Sequence, residues 1–107
     1  MQIYNKLVRD KIPQMIQASG KECRTKLLSD TDYINELKIK LTEEIAEYQE
    51  ALTDGQAIEE LADVLEVIRS LAQVHGAVFE EVEAIRQQKA DERGGFKGRI
   101  FLLDVDE

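Results

Sequence analysis

The chain has 107 residues, a formal charge of −8, one Pro, one Cys and no Trp, and 43% of its residues are hydrophobic. That length suits a single domain spanning residues 1–107, and the acidic balance argues against a nucleic-acid backbone as partner. No apolar run approaches a membrane span, the first residues lack a signal-peptide core, and a lone Cys23 excludes an intrachain disulfide, so a cytoplasmic protein is expected.

Helix formers and long 3.6-residue patterns dominate. They predict an all-α fold, a helical bundle of about four helices with short terminal strands. Residues 3–9 read as an extended lead-in. Asp10 is placed to cap a first helix starting near Lys11, with Pro13 in its first turn and Ile12, Met15 and Ile16 inward. Ser19-Gly20 ends it. Residues 22–28 alternate weakly and suggest a short strand. Cys23 there reads as a small apolar filler.

Ser29 opens the second and longest helix, with Asp32 three residues on. Its pattern runs through Ile34, Leu37, Leu41, Ile45, Tyr48 and Leu52 and stops at Thr53-Asp54-Gly55. The third helix runs from about Gln56 to His75. Its apolar face is wide, with Leu61, Leu65, Ile68 and Ala72 on one side and Val64, Val67, Leu71 and Val74 beside it. Such width predicts burial against more than one neighbour. His75, the only His, reads better as a helix terminus than as a base. A fourth helix over 78–92 turns Val78, Val82 and Ile85 inward, and Arg93-Gly94-Gly95-Phe96 breaks it. Residues 100–103 suggest a second short strand.

The chemistry concentrates in Glu43-Glu44-Ile45-Ala46-Glu47 and Glu60-Leu61-Ala62-Asp63. Residues three apart share a helix face. If the intervening turn folds the two helices back on each other, Glu44, Glu47, Glu60 and Asp63 converge. Glu44 falls inside the apolar stripe of its helix, and Glu60 projects with Val64, Val67 and Leu71. Carboxylates among core positions are costly without compensating charge, and no Lys or Arg lies between Lys40 and Arg69. A single such pair reads as a solvated face. Two pairs intruding on apolar stripes either side of one turn favour a divalent cation, and an all-oxygen set suits Mg²⁺ or Mn²⁺.

Charge is unevenly spread. Residues 1–26 carry net +4, residues 27–85 carry net −12, and residues 86–107 are balanced. An acidic middle between basic segments suits metal ions on carboxylates with phosphates met by Lys and Arg. It also suits simple neutralisation of an acidic bundle.

The two carboxylate pairs resemble the signature of the MazG-like, all-α nucleoside triphosphate pyrophosphohydrolases, a superfamily that includes phosphoribosyl-ATP pyrophosphohydrolase. Tyr4-Asn5-Lys6-Leu7-Val8-Arg9-Asp10-Lys11-Ile12-Pro13 and Lys89-x-x-x-Arg93-Gly94-Gly95-Phe96 resemble a small branch of it. The resemblance implies Mg²⁺ on Glu44, Glu47, Glu60 and Asp63. It also implies cleavage of a nucleoside triphosphate between its α and β phosphates, in some members as house-cleaning of non-standard nucleotides, and a homodimer or higher homo-oligomer. On that reading Glu44 is a catalytic metal ligand. Glu43, about 100° around the helix, either helps activate water or is an exposed surface group. Lys6, Arg9, Lys11, Lys40, Lys89 and Arg93 are candidates for the phosphates. Phe96 stacks on a base or packs over the bundle end. Two alternatives stay open: phosphoribosyl-ATP as substrate, and a helical interaction module without turnover.

Overall fold

The computed structural model describes residues 2–106. Four helices follow in order: α1 Ile12–Ala18, α2 Asp30–Gln49, α3 Asp54–Val74 and α4 Phe79–Arg93. The fold is all-α, and among the described residues there is no strand. Residues 22–28 and 100–103 are irregular chain instead. Neither finds a partner edge, and a lone extended segment has nothing to satisfy its backbone but water.

Local chemistry explains the helix boundaries. The Asp32 backbone N–H donates to Ser29 Oγ at 3.2 Å, which starts α2. At α3 the Gln56 backbone N–H donates to Thr53 Oγ1 at 3.1 Å. The Gln56 side chain reaches back to accept from the Leu52 N–H at 3.1 Å. Thr53 is thus the start of α3, and the chain turns at residues 50–53, earlier than the Thr53-Asp54-Gly55 stop expected for α2. The signature is a hydroxyl followed three residues later by Gln, a reciprocal cap. Asp54 and Gly55 sit inside the first turn. Asp10 caps nothing: Lys11 holds the N-cap position of α1 without a side-chain bond. Gly20 and Gly76 follow α1 and α3 at φ 89 and 78, a region open to glycine at no steric cost.

Packing centres on one helical hairpin. The main interface is α2 against α3, α4 packs on α3 alone, and α1 packs on no other helix. Among the described residues Leu37, Val67 and Ala72 are the buried apolar ones, and Ile34, Leu41, Val64, Ile68, Leu71 and Val74 are half-buried around them. The N-terminal part of the wide α3 face is open: Leu61 and Leu65 are exposed. Val78, Val82 and Ile85 of α4 are exposed rather than inward, as is Met15 of α1. These residues follow the helical period, but the chain supplies no further layer to cover them.

Candidate metal centre

The α2–α3 hairpin brings Glu44 to Glu60 and Asp63, while Glu47, exposed one turn further on, groups with Glu43 and Glu44 rather than with the α3 pair. Carboxylate oxygens of Glu44, Glu60 and Asp63 lie within 4.8 Å of one another, as do those of Glu43, Glu44 and Glu47. Glu44 belongs to both sets and is the junction of the site. Among the described residues it is also the buried charged one, 7% exposed. Its position follows from periodicity, since it stands seven residues after buried Leu37 on the same helix face.

Burial pushes the Glu44 carboxyl above the ordinary glutamate value of 4.5. A shared hydrogen bond with Glu47 and the charges of Glu47 and Asp63 push the same way, against Lys40. Two buried oxygens in this cluster, Glu44 Oε2 and Glu60 Oε2, have no hydrogen-bond partner. A buried carboxylate oxygen without a donor is expensive and uncommon. Three carboxylates meeting around such atoms form an all-oxygen donor set of the kind hard divalent cations take. The residues therefore fit a hard divalent cation.

Glu43 is not remote from the cluster. It lies in the second carboxylate group and pairs with Lys40 Nζ at 3.5 Å and with Lys6 Nζ at 3.7 Å. Lys40 Nζ also reaches Glu44 at 3.6 Å. The reading that no basic residue serves the cluster locally is corrected here, because Lys40 lies one turn before Glu44 and bridges both glutamates.

The substrate-binding candidates divide into two groups. Lys6, Arg9 and Lys40 stand at the carboxylates. Arg9 Nη2 donates to Asp63 Oδ1 at 2.7 Å across 54 positions of sequence. Lys11 makes no ion pair among the described residues. Lys89 and Arg93 line a separate open groove with Arg86, Gly94, Gly95 and Phe96. Neither pairs with the acidic cluster, and Phe96 is 99% exposed, so it does not pack over the bundle end. Sequence reasoning missed the pairing of Arg9 with Asp63. The opposite charge of the two segments signalled that they meet, but nothing local names the partner.

No protein-family model matches the chain. No solved structure matches it. Over 53 residues it is 47% identical to an uncharacterised protein of Mycolicibacterium smegmatis. The matched stretch is 50% of this chain and 54% of that relative, so the chain spans about half the length of the curated relative it matches.

Proposed function

We propose that this chain is a Mg²⁺-dependent nucleoside triphosphate pyrophosphohydrolase, releasing a nucleoside monophosphate and pyrophosphate. The observation that carries the reading is Glu44, buried with an unpartnered oxygen where two carboxylate sets meet. A scaffold gains nothing from that placement, whereas a cation site requires it. Glu44, Glu60 and Asp63 hold the ion, and Glu47 completes the set from the next turn of α2. When bound, Mg²⁺ supplies Lewis acidity at the phosphoryl oxygens and a site for the attacking water. The motif resemblance at both ends of the chain supplies the substrate class.

The hydrolysis itself needs a water oxygen bonded to the α-phosphorus and the bridging oxygen leaving with pyrophosphate. Glu43 is the carboxylate free to take the water proton once Glu44 is committed as a ligand. Lys40 and Lys6 hold Glu43 in place. Lys6, Arg9 and Lys40 are the cations at hand for the phosphates. The exposed apolar faces of α3 and α4 support a homo-oligomer as the working form.

The test is pyrophosphate release from a panel of standard and modified nucleoside triphosphates, in Mg²⁺ and in EDTA. We expect Mg²⁺-dependent pyrophosphate with a monophosphate co-product. Glu44→Gln should slow it roughly 100-fold or more, a loss of about 3 kcal/mol of transition-state stabilisation. Orthophosphate as product contradicts the cleavage position. Turnover of phosphoribosyl-ATP alone moves the substrate within the same chemistry. No turnover of either overturns the enzymatic reading.

A further inference from the structure

The segment before α1 is tied to the helical body by cations on carboxylates. Arg9 sits on Asp63 and Lys6 on Glu43, while α1 packs on no other helix. Residues 2–11 are otherwise exposed, apart from half-buried Leu7. Asp63 belongs to the carboxylate triad that fits a cation, so Arg9 lies on one of its acceptors. Arg9 uses one N–H of its guanidinium in this contact, and a guanidinium carries five N–H donors in a planar fork suited to phosphate.

We infer that Arg9 is an exchangeable counter-ion of the metal centre: it neutralises Asp63 in the unloaded site and transfers to the phosphate when the loaded site takes one. The inference rests on the metal-site reading above. Charge explains the exchange. Glu43, Glu44, Glu47, Glu60 and Asp63 cluster against Lys6, Arg9 and Lys40, which leaves the unloaded cluster acidic but partly neutralised. A divalent cation on the carboxylates makes Arg9 redundant there. A polyphosphate brings new negative charge to the same carboxylates, and Arg9 is an exposed cation already beside them. Both partners of the pair are substantially exposed, at 57% and 41%. Exposed pairs of this kind are weak, so giving one up costs little.

The exchange makes opposite predictions for two ligands, which a purely structural Arg9 does not. Titration calorimetry on Arg9→Ala, with Mn²⁺ alone and then with pyrophosphate on the Mn²⁺-loaded protein, reads both. We expect Mn²⁺ to bind roughly two- to fivefold tighter, because a competing cation is gone. Pyrophosphate should bind at least about tenfold more weakly, because a charge-assisted donor is gone. Arg9→Lys should restore part of the second effect and Lys21→Ala should produce neither. If Arg9→Ala weakens both ligands, or leaves pyrophosphate untouched, Arg9 only orients Asp63 and the exchange is wrong. If Lys21→Ala matches Arg9→Ala, the effect is overall charge and the exchange is also wrong. Failure of the metal reading looks different: the wild-type chain binds no Mn²⁺, or Glu44→Gln binds it equally well, and the exchange falls with it.

Discussion

Glu44 combines two properties that rarely coexist without a ligand, a buried carboxylate and an acceptor oxygen with no donor. Its stability consequence has a definite sign. The folded protein holds a proton on Glu44 more tightly than the unfolded chain does, since burial, Glu47 and Asp63 raise its pKa above 4.5. Folding therefore binds protons, and stability falls as pH rises from the ordinary glutamate value through the raised folded one. In EDTA the melting temperature should be higher at pH 5 than at pH 8. Glu44→Gln should flatten that slope and raise the melting temperature at pH 8, by roughly 4 °C or more for each 1 kcal/mol relieved. Added Mg²⁺ should reverse the order, stabilising the wild type at pH 8 and not the variant. A wild-type melting temperature independent of both pH and Mg²⁺ contradicts the cost assigned to this carboxylate.

At the scale of the element, the site depends on the short turn between α2 and α3. That turn sets which carboxylates face each other. Thr53 Oγ1 and the Gln56 side chain fix it from opposite directions. Thr53→Ala removes the acceptor for the Gln56 N–H and should cost about 1 kcal/mol, the usual value of a lost cap. Ser29→Ala, at the far end of α2, should cost a similar amount. Chemical denaturation measures both. Because Thr53 sits beside the turn that aligns the carboxylates, its loss should weaken Mn²⁺ binding, while Ser29→Ala should leave Mn²⁺ binding unchanged. Equal Mn²⁺ affinity in the two variants contradicts a role for the turn in aligning the site. The Ser29 cap was legible as a hydroxyl with a polar residue three positions on, whereas Thr53 reads in sequence as part of the stop of α2. The exact turning point was not legible, because Thr53-Asp54-Gly55 satisfies both a helix stop and a helix start until the Gln56 bonds are seen.

At the scale of the molecule, the chain is too open for its size. A folded protein of 12.2 kDa exposes about 6,000 Å², and this one exposes 9917 Å². Its radius of gyration is 18.4 Å, against about 13 Å for a compact domain of this length. Large apolar side chains lie on this surface, with Ile58, Leu61 and Leu65 on α3 and Ile100, Phe101 and Leu103 near the C-terminus all exposed. The excess is roughly 4,000 Å² per chain, more than the ~1,000–2,500 Å² per partner that most obligate interfaces bury. Sedimentation velocity at micromolar concentration should therefore show a dimer or larger homo-oligomer. Leu65→Asp should shift it toward monomer and lower the melting temperature. A wild-type monomer that unfolds cooperatively contradicts this expectation. Among the described residues no helix is long and apolar enough to cross a membrane.

Periodicity and capping belong to the chain locally, because a helix is built from contacts three and four residues apart. For that reason the all-α class, the four helices, the Ser29 cap, the glycines after α1 and α3 and the convergence of Glu44 with Glu60 and Asp63 follow from the residues alone. Alternation over residues 22–28 and 100–103 misled, since a strand exists only if another strand pairs with it. The inward aspect of Val82 and Ile85 misled for a related reason, because a helix face is buried only where something covers it. What the tertiary structure decided is which distant residues share a site. Arg9 meets Asp63 and Lys6 meets Glu43, whereas Lys89, Arg93 and Phe96 lie in a groove of their own. A charge on a long side chain carries no positional code in its sequence neighbours, and only the folded path of the backbone assigns it a partner.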